Sequence, residues 1–127
     1  MSPIFYPEAL RLWLERHSYE KHIREAHGWP VATGEVNHWK IVPAGPHGSF
    51  GRDYQIEAGF HFVVNGEYFG GYVQSEAMVH HDAEKLSQGA PPVKVRYNPA
   101  DPNKNSVLPE DNVGNLPFKI YTGLKAG

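Results

Sequence analysis

Tyr54–Ser75 reads YQIEAGFHFVVNGEYFGGYVQS, and this stretch decides the fold. Asn65-Gly66 lies between two runs that alternate apolar and polar residues. A type I′ turn needs positive φ at both central residues, which Asn and Gly tolerate, so the pair predicts a tight β-hairpin. A two-residue turn pairs Val64 with Glu67, and the register follows from that closing pair. Phe62 then faces Phe69, Phe60 faces Gly71 and Ala58 faces Val73. With Ile56 and Tyr54, these residues form the face expected in the core. The opposite face pairs Val63 with Tyr68, His61 with Gly70, Gly59 with Tyr72 and Glu57 with Gln74. Large rings opposite glycine can lie over bare backbone, and the glycines permit the bending a small barrel needs.

Downstream, Val93–Leu108 reads VKVRYNPADPNKNSVL. Val93, Val95 and Tyr97 alternate with Lys94 and Arg96, as in a strand. Proline cannot extend a ladder and restricts the residue before it. The strand should therefore end at Asn98, turn through Pro99–Asn105 and resume at Ser106–Leu108. Upstream, Val31–Val42 reads as a first strand, in which Thr33, Val36, Trp39 and Ile41 suit a sheet. Gly34 in its interior indicates a bulge or a sharp bend. Pro43–Arg52 is a loop by composition, and Met78–Gly89 bridges to the next strand as a short helix or loop. Pro117–Thr122 is suited to dock as an edge strand or a lid.

Pro7–His27 has neither Gly nor Pro in its interior, and Gly28-Trp29-Pro30 stops it, so it reads as a helix. Leu10, Trp13, Leu14 and His17 form one apolar stripe. Leu12, Tyr19, Ile23 and Ala26 form another on nearly the opposite side. A helix lying on a domain surface needs one such face. The second stripe, Leu12, Tyr19 and Ile23, is thus a candidate partner-facing surface, unless the helix is wedged between the barrel and the C-terminal tail.

The expected fold is α+β and mainly β. It is a small, strongly bent antiparallel sheet or partly open barrel of about five strands, with one N-terminal helix packed on it. All 127 residues form a single domain: a helix over about 7–27, a β-domain over about 29–108 and a C-terminal tail over 109–127. Its 40% hydrophobic and 20% charged residues are ordinary for a globular protein. A formal net charge of −2 gives no excess of positive charge for nucleic acid or anionic lipid. Absence of cysteine rules out disulfides, thiolate metal sites and a cysteine nucleophile. No apolar run is long enough to span a membrane, and no signal peptide is recognisable, so a cytoplasmic address is expected by default.

Several of these residues together resemble a known family. Trp29-Pro30 is followed by Thr33-Gly34-Glu35-Val36, and Tyr54 by the run Phe60–Tyr68 around Asn65-Gly66. After these come Gly89, the strand Val93-Lys94-Val95-Arg96-Tyr97, Asn98-Pro99, Asp101-Pro102 and Ser106-Val107-Leu108. Their order and spacing resemble the bacterial family catalogued as domain of unknown function 3592, over about Trp29–Leu108. The resemblance implies a small β-rich domain, often found between transmembrane helices, and no known reaction. Here the charged helix Pro7–His27 stands where members usually carry a membrane helix, and no apolar helix follows Leu108. That departure implies a soluble relative whose helix covers the domain or binds a partner.

Chemistry is hard to find in the chain. Its eight histidines bring metal binding into view. His17, His22 and His27 are five apart, so each step rotates about 140° and they share no helix face. The sequence has no HExxH, no His-x-His and no zinc-like cluster. His80-His81-Asp82, with Glu84 nearby, is the best local group, but adjacent residues in extended chain point apart. Gly48-Ser49-Phe50-Gly51 is not a nucleophile elbow, and no phosphate-binding loop occurs. No metal, no cofactor and no catalytic residue is therefore assigned. The candidate ligand or partner surface is the non-core hairpin face, Glu57, His61, Tyr68, Tyr72 and Gln74, unless these rings pack under the N-terminal helix with Trp13 and Leu14 as partners. The leading expectation is a non-enzymatic binding or protein-interaction module, with a second copy or another protein as its partner. One alternative is a small hydrolase or isomerase using His61 or the His80/His81 loop with Glu57. Another is a soluble sensor domain acting with a membrane partner.

Overall fold

In the computed structural model of the protein, residues 21–45 and 51–121 are described. Five antiparallel strands form one sheet in the order β3-β2-β1-β4-β5. They are β1 (Val31–Pro43), β2 (Tyr54–Val64), β3 (Glu67–Gln74), β4 (Pro92–Asn98) and β5 (Asp101–Ser106). Residues 21–26 form a short helix, α1. A second helix, α2 (His80–Leu86), lies between β3 and β4. The sheet curls until its two edge strands meet, so the architecture is a nearly closed barrel with a helix at its N-terminal end. Among the described residues no helix is long and apolar enough to cross a membrane.

The hairpin has the expected register throughout, from Val64↔Glu67 to Glu57↔Gln74. Asn65 and Gly66 both have positive φ, 51° and 83°, as the turn type demands. Ile56, Ala58, Phe60, Phe62 and Val73 are buried, so the predicted face is the core. Phe62 sits at its centre, with the rings of Phe60, Phe69 and Tyr97 6.3, 5.9 and 6.0 Å away. The ring of Phe60 lies over Gly71, where a Cβ would come within 2.7 Å of Phe60 Cζ. Tyr54 departs from the expectation, being 37% exposed. It starts its strand at the barrel rim, and its ring meets His80 of α2 edge-on at 4.8 Å.

β1 is the central strand. Its first residues, Val31–Glu35, pair with β4, and Glu35–Pro43 pair with β2. The bulge foreseen in this strand falls at Asn37, between the pairs Val36↔Phe60 and His38↔Gly59. The extra residue shifts the alternation by one place. Val36, Trp39 and Ile41 thereby all join the core or its margin, while His38 and Lys40 stay exposed. Gly34 is not the bulge. A Cβ there would collide with the carbonyl oxygen of His61, so the glycine is required by close approach of β2.

β4 ends at Asn98 as expected, but the turn after it is shorter than the sequence indicates. Asn98 already pairs with Asp101 across Pro99-Ala100, and the Asn98 side chain accepts from the Ala100 amide at 2.9 Å. The ladder then skips to Tyr97↔Asn105 and Arg96↔Ser106. β5 is therefore Asp101–Ser106, not Ser106–Leu108. Asp101 accepts from the Asn103 amide at 3.3 Å, and Asn105 Nδ2 donates to Pro102 O at 3.0 Å, which holds the skipped residues together. Past β5, a 3₁₀ turn (Pro109–Asp111) leads to Asn112, whose buried side chain acts as a strand partner. It accepts from Lys94 N at 2.8 Å and donates to Lys94 O at 3.0 Å. The expected docking of the last segment is also present: Ile120 bridges Ser75, and Tyr121 N donates to Gln74 O at 2.7 Å.

Residues 21–26 accord with the C-terminal end of the predicted helix. Leu12 and Tyr19 of the proposed partner stripe lie outside the described residues. Ile23 of that stripe is half-buried, and Ala26 is fully buried.

Candidate functional site

The outer face of the hairpin is built by the same alternation that fills the core. Residues between the buried Phe60, Phe62 and Val73 must point outward. Three strands contribute, and the register sets its rows: Glu35 beside His61 beside Gly70, His38 beside Gly59 beside Tyr72, and Lys40 beside Glu57 beside Gln74. Tyr68 and Tyr72 are 76% and 77% exposed, and Val63, opposite Tyr68, is 47% exposed. The two tyrosines stand on either side of Gly70, about 13 Å apart at four residues of strand rise. Gly70 leaves a hollow between two projecting rings.

His61 is held in place. Asn37, the bulge residue, donates Nδ2 to His61 Nδ1 at 2.8 Å, and the His61 ring lies 5.9 Å from that of Tyr68. In the neutral imidazole that contact leaves the ring proton on Nε2, so His61 presents a donor to solvent. Glu57 lies four residues away on the same strand with Gly59 between, about 13 Å along it. The structure therefore does not bring His61 and Glu57 together. Glu57 instead neighbours Lys40 and Gln74. His38 covers Gly59, where a Cβ would stand 3.2 Å from His38 Cβ. The bulge brings His38 and Asn37 to this surface, and sequence reading had not included either. The spacing Val36, Trp39, Ile41, three residues and then two, carries the signal.

The His80/His81 loop is the start of α2. His80 Nδ1 meets Glu84 at 2.7 Å, an exposed pair one helical turn apart. Among the described residues no group of three or more His, Cys, Asp or Glu is placed to hold a metal.

Among the described residues, three hollows bear on the site. One of about 420 Å³ borders Glu35, His61 and Pro92 at one barrel rim. A second, about 580 Å³, lies under the C-terminal wrap between Pro109, Leu116 and Phe118. The third, about 320 Å³, opens along the seam between β3 and β5, with Phe60 and Tyr72 on one side, Asn105 and Val107 on the other, and His22 of α1 at its edge. None gathers a nucleophile, a base and an orienting group within hydrogen-bond reach.

A charged cluster joins α1 to the barrel. Arg96 of β4 binds Asp111 through two parallel contacts, Nε to Oδ2 at 2.8 Å and Nη2 to Oδ1 at 3.0 Å. Its remaining nitrogen donates to the carbonyls of His27 and Trp29 at 3.1 and 3.3 Å, which closes the end of the helix. The hydrogen bonds from Arg96 hold the Asp111 carboxyl below the usual range, against a smaller opposing effect of burial. Sequence reading did not single out this cluster, because its members are far apart in the chain and each looks like an ordinary surface charge.

No curated protein and no solved structure matches the chain. A family model does: the stretch 32–112, from the second residue of β1 to the asparagine that caps β4, matches the family described as Domain of unknown function (DUF3592), and the chain belongs to that family.

Proposed function

We propose that this domain is a non-enzymatic protein-interaction module that self-associates through the outer face of the β2–β3 hairpin. The observation that carries this reading is the exposure of Tyr68 and Tyr72, 76% and 77%, on either side of Gly70. With Val63 they make a run of exposed apolar surface, the kind of patch that marks a contact site. A two-fold contact needs one patch that offers both projections and hollows. Tyr68 and Tyr72 project, Gly70 recedes, and the patch carries both signs of charge in Lys40, Glu35 and Glu57. The scattered acid and base groups favour contact over catalysis, since His61 is engaged by Asn37 and stands far from Glu57.

Sedimentation of the full chain at rising concentration tests the proposal. Wild type should show a reversible dimer, and a Tyr68→Ser/Tyr72→Ser variant should stay monomeric with unchanged thermal unfolding of the monomer. A wild type that stays monomeric into the millimolar range sinks the self-association reading. So does a variant that dimerises equally well.

A further inference from the structure

His27 uses both ring nitrogens at once. Nδ1 meets the carbonyl of Ile23 at 2.8 Å, one turn back in α1, and Nε2 meets Glu110 Oε1 of the 3₁₀ turn at 2.8 Å. Both partners are acceptors only, so both contacts are hydrogen bonds only when the ring carries two protons. A neutral ring turns one of them into a lone pair facing an oxygen. The ring joins two elements far apart in sequence, and it does so at the helix end, where a cation is favoured by the helix dipole.

The junction also holds a contact that does not depend on His27. Arg96 of β4 clamps Asp111 and the carbonyls of His27 and Trp29, and it is charged at every physiological pH. The groups facing His27 are therefore Glu110 and Asp111 from the 3₁₀ turn and Arg96 from β4, with Lys94 acting on Asp111 from the same strand. On its own helix the nearby ionisable residues are His22, Arg24 and Glu25. The charge of Glu110 acts on the ring more strongly than the opposing charge of Arg96. The permanent contact holds the backbone on both sides of Gly28, while the titratable one holds the His27 side chain.

Beyond the latch lies the seam hollow. His22, one turn before Ala26, borders it beside Phe60, Tyr72 and Asn105, and its ring packs edge-on against Trp29 at 5.5 Å. His22 is the residue through which α1 reaches that opening.

We propose that protonation of His27 latches α1 onto the barrel, so that the helix covers the β3–β5 seam more tightly in mildly acidic than in mildly alkaline solution. Agreement comes from the ring itself: its contacts with Ile23 and Glu110 raise its proton affinity above that of a free histidine. A raised value means that the stabilisation is fully present below the unfolded-state pKa. It is lost as pH rises through the folded-state value, above about 6.5.

Amide hydrogen exchange on the full chain, corrected for the intrinsic pH dependence of exchange, tests this. The reporters are the amides of His27, Gly28 and Trp29, which bond to Ile23, Glu25 and Ala26. Their protection should fall about two- to fivefold between about pH 6 and about pH 8.5, while Val95 in the core stays constant. His27→Gln, which cannot titrate, should flatten the profile, and Glu110→Gln should reduce its amplitude. A flat wild-type profile overturns the proposal. An unchanged profile in His27→Gln does the same, because another group then controls the helix.

Discussion

Asn105 and Gly70 meet across the seam of the barrel: the side-chain amide of one donates to the carbonyl of the other at 3.2 Å. The two edge strands thus close through a side chain rather than a backbone ladder. Asn105 Oδ1 lies over Gly71, where a Cβ would come within 2.9 Å of it, so the glycine pair makes room for the staple. An edge strand with free backbone groups invites another chain, and the staple blunts that edge.

Asn105→Ala should therefore destabilise the fold by about 1–2 kcal/mol, since the same amide also serves Pro102 O and Asn103 O. Urea unfolding measures it. The amides of β3 should show the largest rise in exchange, and an effect spread evenly over the sheet would count against a seam role.

Asn112 replaces a missing strand. β5 reaches β4 only from Arg96 onward, and the Asn112 amide completes the pairing at Lys94 while also donating to Leu108 O at 3.0 Å. Asn112→Ala leaves the buried Leu108 carbonyl and the part-buried Lys94 backbone groups without this partner and should cost about 1–3 kcal/mol. Asn112→Asp should not rescue it, because a carboxylate faces two carbonyls where the amide donated. Denaturant midpoints of the two variants decide the point.

Phe60→Ala and Phe62→Ala should each destabilise by about 3–5 kcal/mol, as buried rings do. Tyr68→Ala and Tyr72→Ala should stay within about 0.5 kcal/mol in the monomer. Thermal unfolding at low protein concentration separates the two pairs. Equal losses on both faces would mean that the outer face is also packed.

Asp111→Asn should lower the urea midpoint at pH 7. The folded carboxyl is held below its ordinary value, chiefly by the hydrogen bonds from Arg96. A depressed value means that the stabilisation is present above the unfolded-state pKa and is lost as pH falls through the folded one. The gap between variant and wild type should therefore close in strong acid. A gap that persists unchanged there would place the effect in shape rather than in charge.

Much of this fold was legible in the chain. Asn65-Gly66 fixed the hairpin because a two-residue turn leaves one register, and that register orders the core. β5 was misplaced because Pro102 reads as a strand breaker, whereas it lies in a stretch that the ladder skips. Tyr54 was assigned to the core by parity alone, which ignores the rim. The bulge was visible in the unequal spacing of Val36, Trp39 and Ile41, but Gly34 drew attention away from it. Strand parity puts Glu57, His61, Tyr68, Tyr72 and Gln74 on one face, yet His38 and Asn37 join that face only through the bulge. The Arg96–Asp111 and His27–Glu110 contacts left no local trace, since pairing across such sequence distances is set by topology.

The position of β1 at the centre of the sheet bears on how the protein is made. Its first residues, Val31–Gly34, find their ladder partners only in Arg96–Val93. The hairpin from Tyr54 to Gln74 can form within microseconds of synthesis and cover the other side of β1. Until β4 leaves the ribosome, one flank of a central strand stays open to pairing with a neighbouring chain. Fragments that stop short of Pro92 should therefore accumulate as aggregates, and β4 acts as the protein's own late-arriving chaperone for β1.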